Sequence, residues 1–182
     1  MKKYEFTGEV KNIGGVTLHR IRALIDIPEH DVKAGDLGGW IEAETNLSQN
    51  GAAWVTGAAW VTGAAWVTGS ACVMDSARVT DSALVMGTAC VTGKAHVRGN
   101  ARVMKSSDCI TIGAIGSRND TTTFYRGADE KIYVSCGCFN GTIDDFAAEV
   151  KQVHAGTKHE RTYLLAIELA KAQIATEEEN DG

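Results

Sequence analysis

The chain has 182 residues, of which 44% are hydrophobic, and a formal net charge of −5 at pH 7. This length fits one extended architecture or two small units and excludes a large multidomain protein. No stretch approaches the roughly 18 consecutive apolar residues that span a bilayer, and no apolar segment follows the first lysines, so we expect neither a membrane protein nor a secreted one. The five cysteines follow no disulfide spacing, which favours free thiols in a reducing cytoplasm.

Residues 1–40 are predicted to form an N-terminal β cap. Two runs rich in β-branched and aromatic residues, 4–10 and 16–27, predict strands, and turn residues at 12–15 separate them. A Gly-rich loop at 31–40 then leads into Ile41. The loop lacks both the GxGxxG spacing and a following helix. A turn that swings the chain into the first coil is therefore favoured over a phosphate-binding loop.

A six-residue repeat begins at Gly51 and runs through nine consecutive units, from GAAWVT at 51–56 to GNARVM at 99–104. Every unit has alanine at its third place and valine at its fifth. This spacing of two puts alanine and valine on one side of a short strand, while small and polar residues fall where the chain turns a corner. Ile41 and Leu47 are also six apart, so one irregular coil should precede Gly51.

This pattern resembles the hexapeptide-repeat proteins, in which an aliphatic residue recurs at every sixth place and a small residue precedes it by two. The resemblance implies a mainly β fold, a triangular left-handed parallel β-helix with three hexads in each coil. We assign residues 41–105 to this solenoid. The repeat region is also the positive part of the chain, since residues 51–105 carry five basic and two acidic side chains.

The register sorts the outward residues onto three faces, because positions eighteen apart stack on neighbouring coils. Between alanine and valine, the first face carries Trp54, Cys72 and Cys90, the second face Trp60, Arg78 and His96, and the third face Trp66, Leu84 and Arg102. After valine, the first face carries Thr56, Met74 and Thr92, the second face Thr62, Thr80 and Arg98, and the third face Thr68, Met86 and Met104. The first and third faces are more apolar than a solitary soluble protein usually leaves exposed.

We therefore expect a subunit interface built from the apolar outward residues, Trp54, Trp66, Met74, Leu84 and Met86, and a parallel homotrimer. The alternative is that the terminal units fold back over these faces.

The second face is basic and predicts a binding surface of Arg78, His96 and Arg98, with Arg102 and Trp60 nearby. The net charge of +3 over residues 51–105 is weak for general nucleic-acid binding, so nucleic acid is not the expected partner. A compact anionic ligand or a host protein fits this surface better.

Residues 106–176 are predicted to form a C-terminal α+β unit of order βββαα that covers the open end of the solenoid. Strands are predicted over 110–116, 121–126 and 131–139, a helix starts at about Thr142, where Asp145 supplies an acidic N3 residue, and a second helix covers 158–175. Residues 177–182 form an acidic tail.

One metal site is suggested. The motif Cys136-x-Cys138 would put two thiols on the same side of a strand, and His154 and His159 follow, so a structural zinc ion with two Cys and two His ligands is conceivable. Buried strand cysteines with surface histidines are the favoured alternative, in which no cofactor is bound.

The leader Val32-Lys33-Ala34-Gly35, followed by Gly38-Gly39-Trp40-Ile41, and the C-terminal stretches 115–118 and 136–139 resemble proteins of phages and prophages. The resemblance implies a phage context, and so the host cytoplasm, but no activity. In that context we expect a non-enzymatic binding or scaffold protein. Such a protein would block or sequester a host protein, for example one of a defence system, or a nucleotide-like ligand. The alternative is an acyltransferase-like enzyme with His96 as general base, which is disfavoured because the regular hexads contain no protruding loop to form a substrate cleft.

Overall fold

The computed structural model describes residues 2–174, so the predicted acidic tail at 177–182 lies outside the described residues. These residues form mainly β structure, a solenoid of stacked parallel coils followed by two helices, which confirms the predicted class of fold. Two-residue strands build the coils: β4 (Trp54–Val55), β5 (Trp60–Val61), β6 (Trp66–Val67), β7 (Cys72–Val73), β8 (Arg78–Val79), β9 (Leu84–Val85), β10 (Cys90–Val91), β11 (His96–Val97) and β12 (Arg102–Val103).

The predicted stacking by eighteen residues is confirmed on all three faces. The first face is the sheet β4-β7-β10, the second continues β5-β8-β11, and the third is β6-β9-β12. The N–H of Trp54 donates to Ala71 O at 2.9 Å, and that of Thr56 donates to Val73 O at 2.9 Å, so every coil is hydrogen-bonded to the next. The repeated alanines and valines are buried and form one continuous core, as the spacing of two predicts.

Each hexad turns its corner at its first residue, which has a left-handed backbone. The φ values there lie between 61° and 71°, which explains why seven of these nine positions are glycine. The two exceptions are Asp75 and Asp81, whose carboxylates accept hydrogen bonds from Gly93 N at 2.9 Å and Gly99 N at 3.0 Å. An aspartate at the corner therefore adds a side-chain link to the next coil.

The N-terminal segment folds onto the start of the solenoid. Strands β1 (Tyr4–Ile13) and β2 (Val16–Ala23) form an antiparallel hairpin. The predicted loop at 31–40 ends in a strand instead, because β3 (Leu37–Ile41) pairs with β2 on one side and with β5 on the other. Ile41 lies beside Val61 and Leu47 beside Val67, which confirms an irregular coil before Gly51. The six-stranded sheet thus runs β1-β2-β3-β5-β8-β11.

The C-terminal unit contains four strands in place of the predicted three: β13 (Cys109–Ile115), β14 (Asp120–Arg126), β15 (Ile132–Cys136) and β16 (Phe139–Thr142). The strand predicted over 131–139 is present as β15 but ends at Cys136, because Gly137 takes a φ of 59° and a two-residue turn joins β15 to β16. Helix α1 (Ile143–His154) begins after Thr142, whose side chain and that of Asp145 form the predicted capping box, and α2 (Lys158–Ile174) follows.

Strand β14 is shared between two cores. Tyr125 packs in the core of the solenoid, whereas its neighbour Phe124 packs in a second core with Phe146, Tyr163 and Ile167 from the helices. Alternate side chains of one strand therefore connect the repeat to the C-terminal unit. None of the helices within residues 2–174 combines the length and apolar character needed to cross a membrane.

Candidate functional site

A ladder of cationic and aromatic side chains follows the outer side of the six-stranded sheet. Paired strand positions place these residues in one row, in the order Arg20, Trp40, Trp60, Arg78 and His96. The Arg78 guanidinium lies 5.5 Å from the Trp60 ring centroid, and Lys11 Nζ lies 4.2 Å from that of Trp40. The cations therefore occupy ring faces that a ligand would need for stacking.

The ladder ends at a polar cavity of about 420 Å³, which we call the junction cavity because it lies where the second face of the solenoid meets the C-terminal sheet. The solenoid contributes basic side chains to its lining, Arg78, Lys94 and His96, together with Ser76. Strands β14 and β15 and the following turn contribute Asp120, Thr121, Thr123, Ser135 and Gly137. Charged and hydroxyl groups from the solenoid and from the C-terminal sheet thus line the same cavity.

His96 is fixed in this cavity and is uncharged at neutral pH. Its backbone N–H donates to Thr123 Oγ1 at 3.0 Å, and its Nε2 lies 3.4 Å from Thr80 Oγ1. Burial, reinforced by the nearby Arg98 and Arg78 guanidinium groups, lowers the pKa of His96 to about 4. The positive charge of the junction cavity at pH 7 therefore comes from Arg78 and Lys94, and Asp120 supplies one opposing carboxylate.

The five predicted binding residues do not all line the same cavity. Arg78 and His96 line the junction cavity, and Trp60 neighbours Arg78. Arg98 lies next to His96, but its Nε is 3.5 Å from Asp81 Oδ2, so its charge is paired along the solenoid. Arg102 lies exposed on the third face, away from the others.

The remaining residues that line the junction cavity were not predicted from the sequence. The binding surface predicted from the sequence does not include Lys94, Asp120, Thr123 or Ser135. The one available signal was the run Thr121-Thr122-Thr123 in a predicted strand, where alternation puts Thr121 and Thr123 on one side.

The predicted subunit interface is divided between two environments. Trp54 is only 1% exposed, because Tyr4 packs edge-on against it at 6.5 Å between ring centroids. The chain's own N-terminal segment thus covers the first face at Trp54, while Met74 on the same face stays half-buried. On the third face Trp66 is 47% exposed, and Leu84 and Met86 are half-buried.

The predicted zinc ligands come from different local structures. Cys136 ends β15 and Cys138 lies in the following turn, so the two thiols do not share a side of one strand. His154 lines a second cavity together with both cysteines, and the His159 ring packs against His154 at 5.9 Å. Across residues 2–174, no three His, Cys, Asp or Glu side chains are grouped so that they could hold a metal ion.

The fold and the junction cavity define a β-solenoid protein with a polar cavity between its repeat and a C-terminal α+β unit. A scan against known protein families finds no family that matches the chain. A search of curated proteins likewise finds no match.

Proposed function

We propose that this chain is a non-catalytic binding protein, built on a left-handed β-helix, that holds a compact anionic ligand in the junction cavity. The observation that carries the proposal is the convergence of Arg78 and Lys94 with hydroxyl groups of the C-terminal sheet around about 420 Å³. A volume in this range suits a small molecule, since ligand cavities span roughly 300 to 1,000 Å³.

The lining favours a ligand with both an anionic group and hydroxyl or amine groups. Arg78 presents a planar fork of donors that suits phosphate or carboxylate, and Lys94 adds a second positive charge. Ser76, Thr121 and Ser135 offer hydroxyls, and the Asp120 carboxylate can accept from a sugar hydroxyl or an amine. A nucleotide-like or phosphorylated sugar ligand fulfils these requirements.

The lowered pKa of His96 favours a binding role over a catalytic one. A general base is most effective when its pKa lies near the working pH, whereas burial holds the pKa of His96 at about 4. The alternative function, that of an acyltransferase-like enzyme, would require turnover of acetyl-coenzyme A. Such turnover, lost on changing His96→Asn, would overturn the non-catalytic proposal.

The resemblance of the leader and repeat to phage proteins supplies only the context of the proposed biological role. We place the protein in the host cytoplasm, where it would sequester its ligand or block a host protein of a defence system. The polar junction cavity supports sequestration of a small ligand over capture of nucleic acid, because its lining carries two cations and an opposing carboxylate, too little positive charge for a run of phosphates.

Changing Arg78→Ala is expected to weaken binding of adenosine monophosphate or pyrophosphate at least tenfold, because a charge-assisted hydrogen bond contributes about 1.5 to 3 kcal/mol. Lys94→Ala should weaken it less, since a lysine acts as a single point charge. Isothermal titration calorimetry with each ligand measures both effects. The matched control is Lys151→Ala, an exposed cation on α1 outside the cavity. Equal affinities for the native chain and Arg78→Ala would contradict the assignment of this cavity.

We also propose a parallel homotrimer that buries the third face, the outer side of β6, β9 and β12. Trp66 and Met104 are 47% and 43% exposed there, and Leu84 and Met86 lie between them. Trp66→Ser is expected to shift the molecular mass measured by light scattering from three chains to one, because an aromatic anchor carries much of the energy of such an interface. Val10→Ser, which changes another exposed apolar residue on β1, should leave the mass unaltered. A native chain that runs as a monomer would refute the trimer.

A further inference from the structure

A second cavity, of about 200 Å³, lies between the helices and the turns of the C-terminal sheet, and we call it the turn cavity. Its lining includes the apolar side chains of Phe139, Phe146, Val150 and Val153. Because a water molecule takes up about 30 Å³ of liquid, this space accommodates on the order of seven waters or one substituted aromatic ring. The turn cavity and the junction cavity have no lining residue in common, although Gly137 of the junction cavity lies between Cys136 and Cys138 of the turn cavity.

A thiol and a guanidinium group meet at this cavity. Cys138 is exposed in the two-residue turn between β15 and β16, and the Nη2 of Arg118 lies 3.7 Å from its Sγ. Gly137 lies beside the guanidinium, since a Cβ at that position would be 3.2 Å from Nη1 of Arg118. The remaining N–H groups of Arg118 are free to face an incoming carboxylate, since none of the ion pairs among residues 2–174 involves Arg118.

The other cysteines lack this setting, since Cys72, Cys90 and Cys109 do not line the turn cavity and burial also raises the pKa of Cys90. Cys136 also lines the turn cavity, but its Sγ accepts from Thr122 Oγ1 at 3.2 Å and lies 3.8 Å from the Tyr163 hydroxyl. Burial raises the pKa of Cys72 and that of Cys109 to about 12, so both stay protonated at neutral pH. Only thiolates react quickly with disulfides.

We propose that the turn cavity is a covalent modification site, in which Cys138 is thiolated by small aromatic or branched disulfides that carry a carboxylate. The ring enters between Phe139 and Val153, and the carboxylate pairs with Arg118. The Cys138 thiolate attacks one sulfur of the disulfide, the S–S bond breaks as the new S–S bond forms, and the second thiolate leaves. The proton of Cys138 goes to solvent, and the incoming disulfide is the oxidant.

Two aromatic disulfides, one anionic and one neutral, test this proposal. Dithionitrobenzoate is an aromatic disulfide with a carboxylate on each ring, and dithiodipyridine is a neutral one. For the native chain we expect one fast equivalent of each, located at Cys138 by peptide mapping. The rate with dithionitrobenzoate should saturate as its concentration rises and should fall when benzoate is added, because the ring binds before the exchange step.

Charge variants separate recognition from simple exposure. Arg118→Gln is expected to lower the rate with dithionitrobenzoate, relative to dithiodipyridine, roughly fivefold, the effect of about 1 kcal/mol for a charge pair near 4 Å in water. Glu149→Gln, which removes a carboxylate from the lining, should raise the same ratio. Arg161→Gln, on the exposed side of α2, is the matched control and should leave the ratio unchanged.

Three results would overturn the proposal. One is a rate with dithionitrobenzoate that rises linearly with concentration and ignores benzoate. Another is an Arg118→Gln variant that slows both probes by the same factor, which would limit Arg118 to stabilising the thiolate. The last is equal labelling of all five cysteines in the native chain.

Discussion

Replacing Gly39 by alanine is expected to lower the free energy of unfolding by about 2 to 4 kcal/mol, because the new methyl group has no space. An ideal Cβ at Gly39 would lie 2.7 Å from Ala59 O and 2.8 Å from Val55 Cγ1. Ala59 O accepts the hydrogen bond from Trp40 N at 3.0 Å, which joins β3 to β5. The carbonyl therefore cannot move away without weakening the junction between the N-terminal segment and the solenoid.

The adjacent Gly38 is confined in the same way, with a Cβ placed 2.8 Å from Val55 O. Together the two glycines let β3 cross close to the first coil while Trp40 continues the ladder on the outer face. The GGW leader thus has a steric explanation as the place where a strand must approach backbone that lies beneath it.

Gly113→Ala is the matched control for this prediction. Gly113 is also in a strand, β13, but a Cβ there meets no atom within 4 Å. Alanine should stabilise the chain there by up to about 1 kcal/mol, because it reduces the freedom of the unfolded state. Urea unfolding followed by tryptophan fluorescence and by circular dichroism measures both variants. The packing explanation fails if the two substitutions change stability by the same amount.

The repeat could be predicted in detail because its information is local. A period of six with alanine and valine two apart determines which side chains point inward, and eighteen-residue stacking determines the three faces. The same reasoning could not place β3. Trp40 pairs with Trp60, twenty residues later, so the leader joins the sheet only through a register that the hexads do not contain.

The candidate site was half predictable for the same reason. Arg78 and His96 followed from the register, but Asp120, Thr123 and Ser135 reach the junction cavity only through the way β14 packs against the solenoid. For Trp54, the face was predicted but the exposure of the side chain was not. Its position on the first face was correct, yet Tyr4 covers it from fifty residues earlier in the chain, a contact that no local pattern encodes.

Both ends of the solenoid use a buried polar side chain to complete backbone hydrogen bonds, and the two side chains differ in chemistry. Asn46 at the first coil accepts from Ala43 N at 2.8 Å and donates to Ala65 O at 2.9 Å. Asp108 at the last coil accepts from Met104 N at 2.9 Å and from Lys105 N at 3.0 Å. An amide serves where carbonyl groups need a donor, and a carboxylate serves where N–H groups need an acceptor.

Asp108→Ala is therefore expected to lower the free energy of unfolding by about 3 to 5 kcal/mol, the cost of breaking a buried ion pair from one side. Asp108 is 3% exposed, and its Oδ1 lies 3.2 Å from Nε of Arg126. Arg126 also donates to Ile174 O at 2.6 Å, so the pair links the last coil to the end of α2. Removing the carboxylate takes away the acceptor that two backbone N–H groups share, and it takes one contact from a guanidinium that keeps its bonds to Ile174 O and Glu130.

Thermal and urea unfolding of five variants, which include Arg126→Ala alone, tests this expectation. Asp108→Asn should lose about 1 to 3 kcal/mol, since an amide offers one acceptor oxygen where the carboxylate uses two. Arg126→Ala combined with Asp108→Ala should cost less than the sum of the single changes, because the two residues share one interaction. Asp144→Ala, which removes an exposed carboxylate 3.7 Å from Lys171, should change stability by less than about 1 kcal/mol. Additive losses for the double variant would show that Asp108 and Arg126 act independently, and the link between the last coil and α2 would then be discarded.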